Sequence, residues 1–105
     1  MSTSPPFLFE VPTPLGFTVR TTADYWQRLV AKHPDLADRL EAVKTTLSQP
    51  DQVRHSRRDP TVLLFYRRGV RHWVVAVAKR ADGTGFLVTA YQTDAIKEGE
   101  QIWPR

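Results

Sequence analysis

Trp73-Val74-Val75-Ala76-Val77-Ala78 is an unbroken apolar run near the middle of this chain. It is far short of the roughly 20 residues that cross a bilayer. Its valines suit a pleated strand, and continuous apolarity suits a strand covered on both faces. A central strand needs neighbours on each side. Thr61 to Arg68, closed by Arg68-Gly69, reads as the strand before it. Ala81-Asp82-Gly83-Thr84-Gly85 has the chemistry of a hairpin turn, and Phe86 to Thr93 reads as the strand after it. Gln52 to Arg57 is a weaker strand that precedes the Asp59-Pro60 turn. Segment 52–93 is thus expected to form a meander of four antiparallel strands.

Helical spacing dominates segment 21–48. Thr21 or Thr22 can cap a helix whose first turn carries Asp24 and whose apolar stripe is Tyr25, Trp26, Leu29 and Val30. His33-Pro34 interrupts it, and Pro34 suits the first turn of a second helix bearing Leu36, Leu40, Val43 and Leu47. Asp35 and Arg39 have the spacing to pair on its outer face. Ser48-Gln49-Pro50-Asp51 ends it. Upstream, segment 7–20 is a candidate hairpin, Phe7 to Val11 and Phe17 to Arg20 flanking Pro12-Thr13-Pro14-Leu15-Gly16. Segment 1–6 reads as a flexible lead-in, and 94–105 as a tail in which Ile102 and Trp103 pack back.

The expectation is therefore one α+β domain over 1–105, its N-terminal helices packed on one face of a four-stranded antiparallel meander sheet. Leu36, Leu40, Val43 and Leu47 would meet Phe86, Val88 and Ala90. Leu87, Thr89, Tyr91 and Thr93 would face the other way, three of them lining a polar floor with hydroxyls. The plainer alternative is an ordinary half-exposed strand of good β formers.

A chain of 105 residues fits one domain. It has no cysteine, which excludes disulfides, thiolate metal sites and cysteine nucleophiles. Met1 to Pro6 carries neither the basic start nor the apolar run of a signal peptide, and a cytoplasmic location without membrane association is expected.

Charge is concentrated. Between Val53 and Arg80 stand eight bases and one acid, a net +7, while the remainder holds seven bases and ten acids, a net −3. One basic segment suggests an anionic partner, nucleic acid first among them. The plainer reading is a solvated, arginine-rich strand edge that blocks sheet-to-sheet aggregation.

Nucleophile elbows and glycine-rich phosphate loops are absent, and the acids are too scattered to suggest a metal centre. What remains suits cleavage of RNA without metal or cofactor. RNA supplies its own nucleophile, the 2′-hydroxyl, so the protein need only move protons and balance the charge of the scissile phosphate. His33 ends a helix, where imidazolium is favoured, and leads the acid–base candidates. A histidine that merely caps a helix is the simpler reading of it. His55 and His72 read equally well as surface residues. Tyr66, Trp73 or Tyr91 could stack on an unpaired base.

The order of several short motifs adds to this. His33-Pro34-Asp35-Leu36 follows a helix bearing Trp26. Gln49-Pro50-Asp51-Gln52-Val53, Phe65-Tyr66-Arg67-Arg68, a valine-rich strand ending in Lys79, and Thr89-Ala90-Tyr91-Gln92-Thr93-Asp94 come next. This series resembles the phage- and mobile-element-associated branch of the barnase–EndoU–colicin–RelE-like nucleases over roughly Phe17 to Trp103. The resemblance implies an active site on the open face of the sheet and a toxin or effector that cleaves RNA and is neutralised by an antitoxin or immunity protein. It matches His33 to a helix-end catalytic histidine and Thr89, Tyr91 and Thr93 to a last-strand motif. The RNA-binding set expected beside them is Arg54, Arg57, Arg58, Tyr66 and Lys79. A non-catalytic nucleic-acid binder, or a nuclease-like fold kept as a protein-interaction module, are the alternatives.

Overall fold

In the computed structural model, which describes residues 7–96 and 99–104, the apolar run lies in β5 (Trp73–Ala81), hydrogen-bonded on one side to β4 (Val62–Arg68) and on the other to β6 (Thr84–Thr93). The lead-in 1–6 lies outside the described residues. Before these strands come β1 (Phe9–Pro12), β2 (Thr18–Thr21), α1 (Ala23–Lys32), a 3-10 turn Pro34–Leu36, α2 (Leu40–Ser48) and β3 (Gln52–His55). After them comes β7 (Glu100–Trp103). No helix among the described residues is long and apolar enough to cross a membrane.

All the strands join one sheet in the order β1-β2-β6-β5-β4-β3-β7. This corrects the four-stranded meander and the N-terminal placement of the helices. β3 to β6 do meander, but the β1–β2 hairpin precedes the helices and β2 pairs with β6 in parallel, Thr18 beside Thr84 and Arg20 beside Phe86. The tail does more than pack back, since Glu100 to Trp103 add a strand to β3. The expected hairpin at 7–20 does form, as β1 and β2; periodicity within a strand reports its two faces and says nothing of its neighbours, so neither its place beside β6 nor the pairing of the tail with β3 was readable from pattern.

α1 is built as its sequence suggests. Thr22 Oγ1 accepts from the Tyr25 amide at 3.0 Å, Asp24 stands in the first turn and Lys32 in the last. Pro34 disfavours helical backbone at His33, which ends the helix with φ −131°. The second helix is shorter than its stripe suggested: Pro34–Leu36 forms a single 3-10 turn, and α2 starts only at Leu40. Arg39 stands at its N-cap, with a buried Nε that has no hydrogen-bond partner.

Both helices lie on one face of the sheet. Trp26, Leu29, Leu36, Val43 and Leu47 meet Val53, Leu63, Phe65, Ala76, Ala78, Leu87 and Ala90 in the main core. Burying each large aliphatic chain contributes about 1.5–3 kcal/mol. α2 lies against β1 as well as β4 and β5, so the sheet curves around it. Leu40 is only partly buried.

The expected contact with Phe86 and Val88 does not form. Both are exposed, at 46% and 37%, whereas Leu87 is buried. A β-bulge accounts for this: Val77 pairs with Thr89 and Ala78 with Leu87, leaving Val88 as the extra residue. One unpaired residue shifts the alternation, so the strand before it presents Leu87 to the core. Tyr25 Oη donates to the Val88 carbonyl at 2.7 Å, satisfying a group near the disrupted ladder. Gly85 is required by packing: a Cβ there would lie 2.7 Å from the Phe17 ring and 3.1 Å from Val19 Cγ2.

Candidate nucleic-acid interface

Strand alternation and the pairing register define what lies on the face opposite the helices. Leu64, Val77 and Thr89 form one row across β4, β5 and β6; Tyr66, Val75 and Tyr91 form the next; Arg68, Trp73 and Thr93 the last. Lys79 and Phe86 extend the face toward β2, where Arg20 joins them, and Arg54 extends it on β3 beside Leu64. Cations, aromatic rings and hydroxyls thus share one surface. Arg54, Arg67, Arg68, Lys79 and Arg80 stand on β3, β4 and β5, which are internal strands, and Arg57, Arg58 and Arg71 in the loops between them, while the sheet edges among the described residues are β1 and β7. The edge-blocking explanation of that charge therefore does not apply.

The face is partly covered. Ile96, just after β6, packs on the cluster of Leu64, Tyr66, Val75 and Val77, and β7 lies four places from β6 in the sheet. Arg54 secures the chain just before β7, its Nη1 donating to the Gly99 carbonyl at 2.9 Å and its Nε to Gln52 Oε1 at 2.8 Å. Gly99 has φ +83°, and a Cβ there would collide with the His55 carbonyl oxygen.

The predicted site residues divide accordingly. Tyr66 is only 2% exposed and packs edge-on against Trp73, ring centroids 6.4 Å apart, so it is core and not a stacking platform. Trp73 is half-buried, with the Arg68 guanidinium 5.4 Å from its ring centroid. Arg54 holds backbone. Arg57 and Arg58 are exposed on the β3–β4 loop. Lys79 is exposed, 3.7 Å from Asp59. The Asp59 carboxyl is held below the usual carboxylate range, first by the Thr61 hydroxyl at 2.6 Å, then by the Thr61 amide at 2.9 Å, with Lys79 adding to both. Thr89 and Tyr91 share the face, half-buried. Thr93 Oγ1 donates to the Ala95 carbonyl at 3.1 Å and shapes the turn after β6.

His33 does not line the pocket that holds Tyr91 and Thr93, although Asp35 two residues on does; it sits exposed between α1 and the 3-10 turn, and its amide closes α1 on Leu29. The histidine that does join Tyr91 and Thr93 is His72. Because Trp73 pairs with Thr93, the residues just beyond, His72 and Asp94, stand side by side, Nδ1 to Oδ1 at 2.8 Å. They share a pocket of about 470 Å³ with Asp35, Tyr91, Gln92 and Thr93. A carboxylate only accepts, so it selects the imidazole tautomer with the proton on Nδ1 and leaves Nε2 free to exchange one. Two residues 22 apart give no spacing signal; only the β5–β6 register reveals the pair. No family model matches the chain, and neither the curated proteins nor the solved structures gave a similar one.

Proposed function

We propose that this protein binds single-stranded RNA on the strand face opposite its helices and cleaves it without a metal ion. The observation that carries the reading is the His72–Asp94 pair opening onto the same pocket as Tyr91 and Thr93, at the margin of a face bearing Arg68, Trp73 and Lys79. His72 Nε2 takes the proton from the 2′-hydroxyl, whose oxygen attacks phosphorus. The bond to the 5′-oxygen breaks, that oxygen leaves with a proton donated by the Tyr91 hydroxyl, and a 2′,3′-cyclic phosphate remains. Arg68, exposed on the row of Trp73 and Thr93, supplies positive charge to the scissile phosphate. Lys79 lies four residues along β5 from Val75, the partner of Tyr91, or about 14 Å, and so serves a neighbouring phosphate. A neutralising partner of the kind implied by the nuclease resemblance would be an acidic protein seated on this face.

Incubation of the protein with total RNA in EDTA tests the reading. Cleavage with cyclic phosphate ends is expected. His72→Ala should lower the rate by about 10²–10⁴-fold, with His33→Ala near wild type. Loss of activity in His33→Ala but not in His72→Ala would transfer the role back to the helix end. RNA binding without cleavage by the wild type would leave a binding module, and no binding at low salt would remove the RNA reading altogether.

A further inference from the structure

The parallel contact between β2 and β6 is short. It runs from Thr18 beside Thr84 to Arg20 beside Phe86, after which β2 turns into α1 and β6 bulges at Val88. The strands part around a pocket of about 370 Å³ whose walls include Phe7, Arg20, Tyr25, Lys79, Phe86 and Val88. That volume lies at the lower end of pockets that hold small ligands, about 300–1,000 Å³.

Its lining is aromatic and aliphatic apart from two cations and the threonines Thr21 and Thr22. The Arg20 guanidinium lies between two rings, 4.7 Å from the Phe7 centroid and 5.2 Å from that of Phe86. Its Nε is buried with no hydrogen-bond partner, and its nearest carboxylate, Glu10, is 3.9 Å away. Among the described residues Lys79 has one carboxylate within 4 Å, Asp59, whose Oδ2 is 3.7 Å away while Thr61 binds its Oδ1. Phe86 and Val88 of this lining are exposed large apolar chains, at 46% and 37%. A flat body that stacks on a ring, joined to a negative charge, fits this combination, and a nucleotide has both parts.

Resting on the RNA reading above, we propose that this pocket holds one unpaired base of a single-stranded RNA, stacked on Phe86, with Arg20 meeting an acceptor on the nucleotide and Lys79 its phosphate. The occupant is a neighbour of the nucleotide being cut, because Lys79 and Phe86 lie four residues along the β5 register from Tyr91 and its partner Val75. Stacking on Phe86 is common to every base. The Thr21 hydroxyl, on a lining residue and buried without a hydrogen-bond partner, is a polar group left to meet the base, while the Thr22 oxygen accepts from the Tyr25 amide and the Tyr25 hydroxyl donates to the Val88 carbonyl.

Fluorescence anisotropy with 2′-O-methyl oligonucleotides, which bind but lack the attacking hydroxyl, tests this. Phe86→Ala changes an exposed side chain and should leave the fold intact by circular dichroism. It should weaken single-stranded binding about 5- to 150-fold, the range that corresponds to loss of one stacked base. The loss should be similar for uridine, cytidine and adenosine oligomers and absent for duplex RNA. Phe86→Trp should retain affinity, and Val70→Ala, at a 98% exposed residue outside the pocket, should behave as wild type. Wild-type affinity in Phe86→Ala, or an equal loss on duplex and single strand, overturns the pocket while the RNA-binding face stands. A wild-type protein that binds none of the oligomers overturns the RNA reading and the pocket with it.

Discussion

Gly85→Ala probes the parallel junction between β2 and β6, the contact that sets this architecture apart from a simple meander. The added methyl would meet the Phe17 ring at 2.7 and 3.1 Å and Val19 at 3.1 Å. Neither neighbour yields easily. Phe17 is buried, packs edge-on against Phe65 at 6.4 Å and carries the Arg80 guanidinium 4.7 Å from its ring centroid, while Val19 is fully buried. Overpacking of this kind costs about 1–3 kcal/mol. Gly85 is in a strand without positive φ, so alanine restricts the unfolded chain and returns about 0.4–1 kcal/mol. The net lies between about 0 and 2.6 kcal/mol of destabilisation, centred near about 1.3 kcal/mol, which is a fall of about 5–10 °C in Tm for a chain of this size. Urea denaturation should show a lower midpoint at constant m. Phe17→Leu is destabilising alone, through the lost ring contact. In combination with Gly85→Ala it should be less damaging than the two separate costs summed, because the ring that clashes is gone. A stabilising Gly85→Ala, or strict additivity of the pair, would refute the packing of β2 over β6.

Leu47→Ala, at a fully buried site on α2, should cost about 2–5 kcal/mol, and Leu40→Ala clearly less because Leu40 is half-buried; equal losses by chemical denaturation would contradict the helix placement. Asp59 has a lowered folded-state pKa, so its contribution to stability is present above about pH 4 and is lost as pH falls through the lower folded value. Thr61→Val removes the hydroxyl that dominates this shift, and carboxyl NMR titration should find Asp59 moved upward; an unchanged titration would deny Thr61 that role. Arg68→Ala should reduce the slope of log affinity against log salt for single-stranded RNA by about 0.7, and an unaltered slope would remove Arg68 from the phosphate contacts.

The parts legible in the sequence are those governed by local chemistry. Thr22 and Asp24 announce the start of α1, Pro34 its end, Asp82-Gly83 the β5–β6 turn, and Trp73 to Ala78 the strand that sits between two others. The parts that were not legible depend on partners far away. The bulge at Val88 inverts the faces of Phe86 and Leu87, yet all of these residues are apolar and alternation cannot locate the extra one. Tyr66 looks like a stacking residue until its register with Val75 buries it. His33 carries the more suggestive local motif, yet Asp35 of the turn that follows, and not His33, lines the pocket of Tyr91 and Thr93. His72 carries no motif and gains its partner only because β5 and β6 pair in the register they do.

The parallel pairing also sets an order of events when the chain is made. Thr18 finds its sheet partner in Thr84, 66 residues later. At synthesis rates of about 5–20 residues per second, the amino-terminal hairpin waits roughly 3–13 s before the strand it must join exists. The pairs β3–β4, β4–β5 and β5–β6 form between sequence neighbours and close short loops. Docking of the hairpin closes a long loop and is favoured only once β6 is in place. The strands translated first are thus among the last to be incorporated. Until then Phe9, Val11, Phe17 and Val19, buried in the finished molecule, have no sheet to cover them.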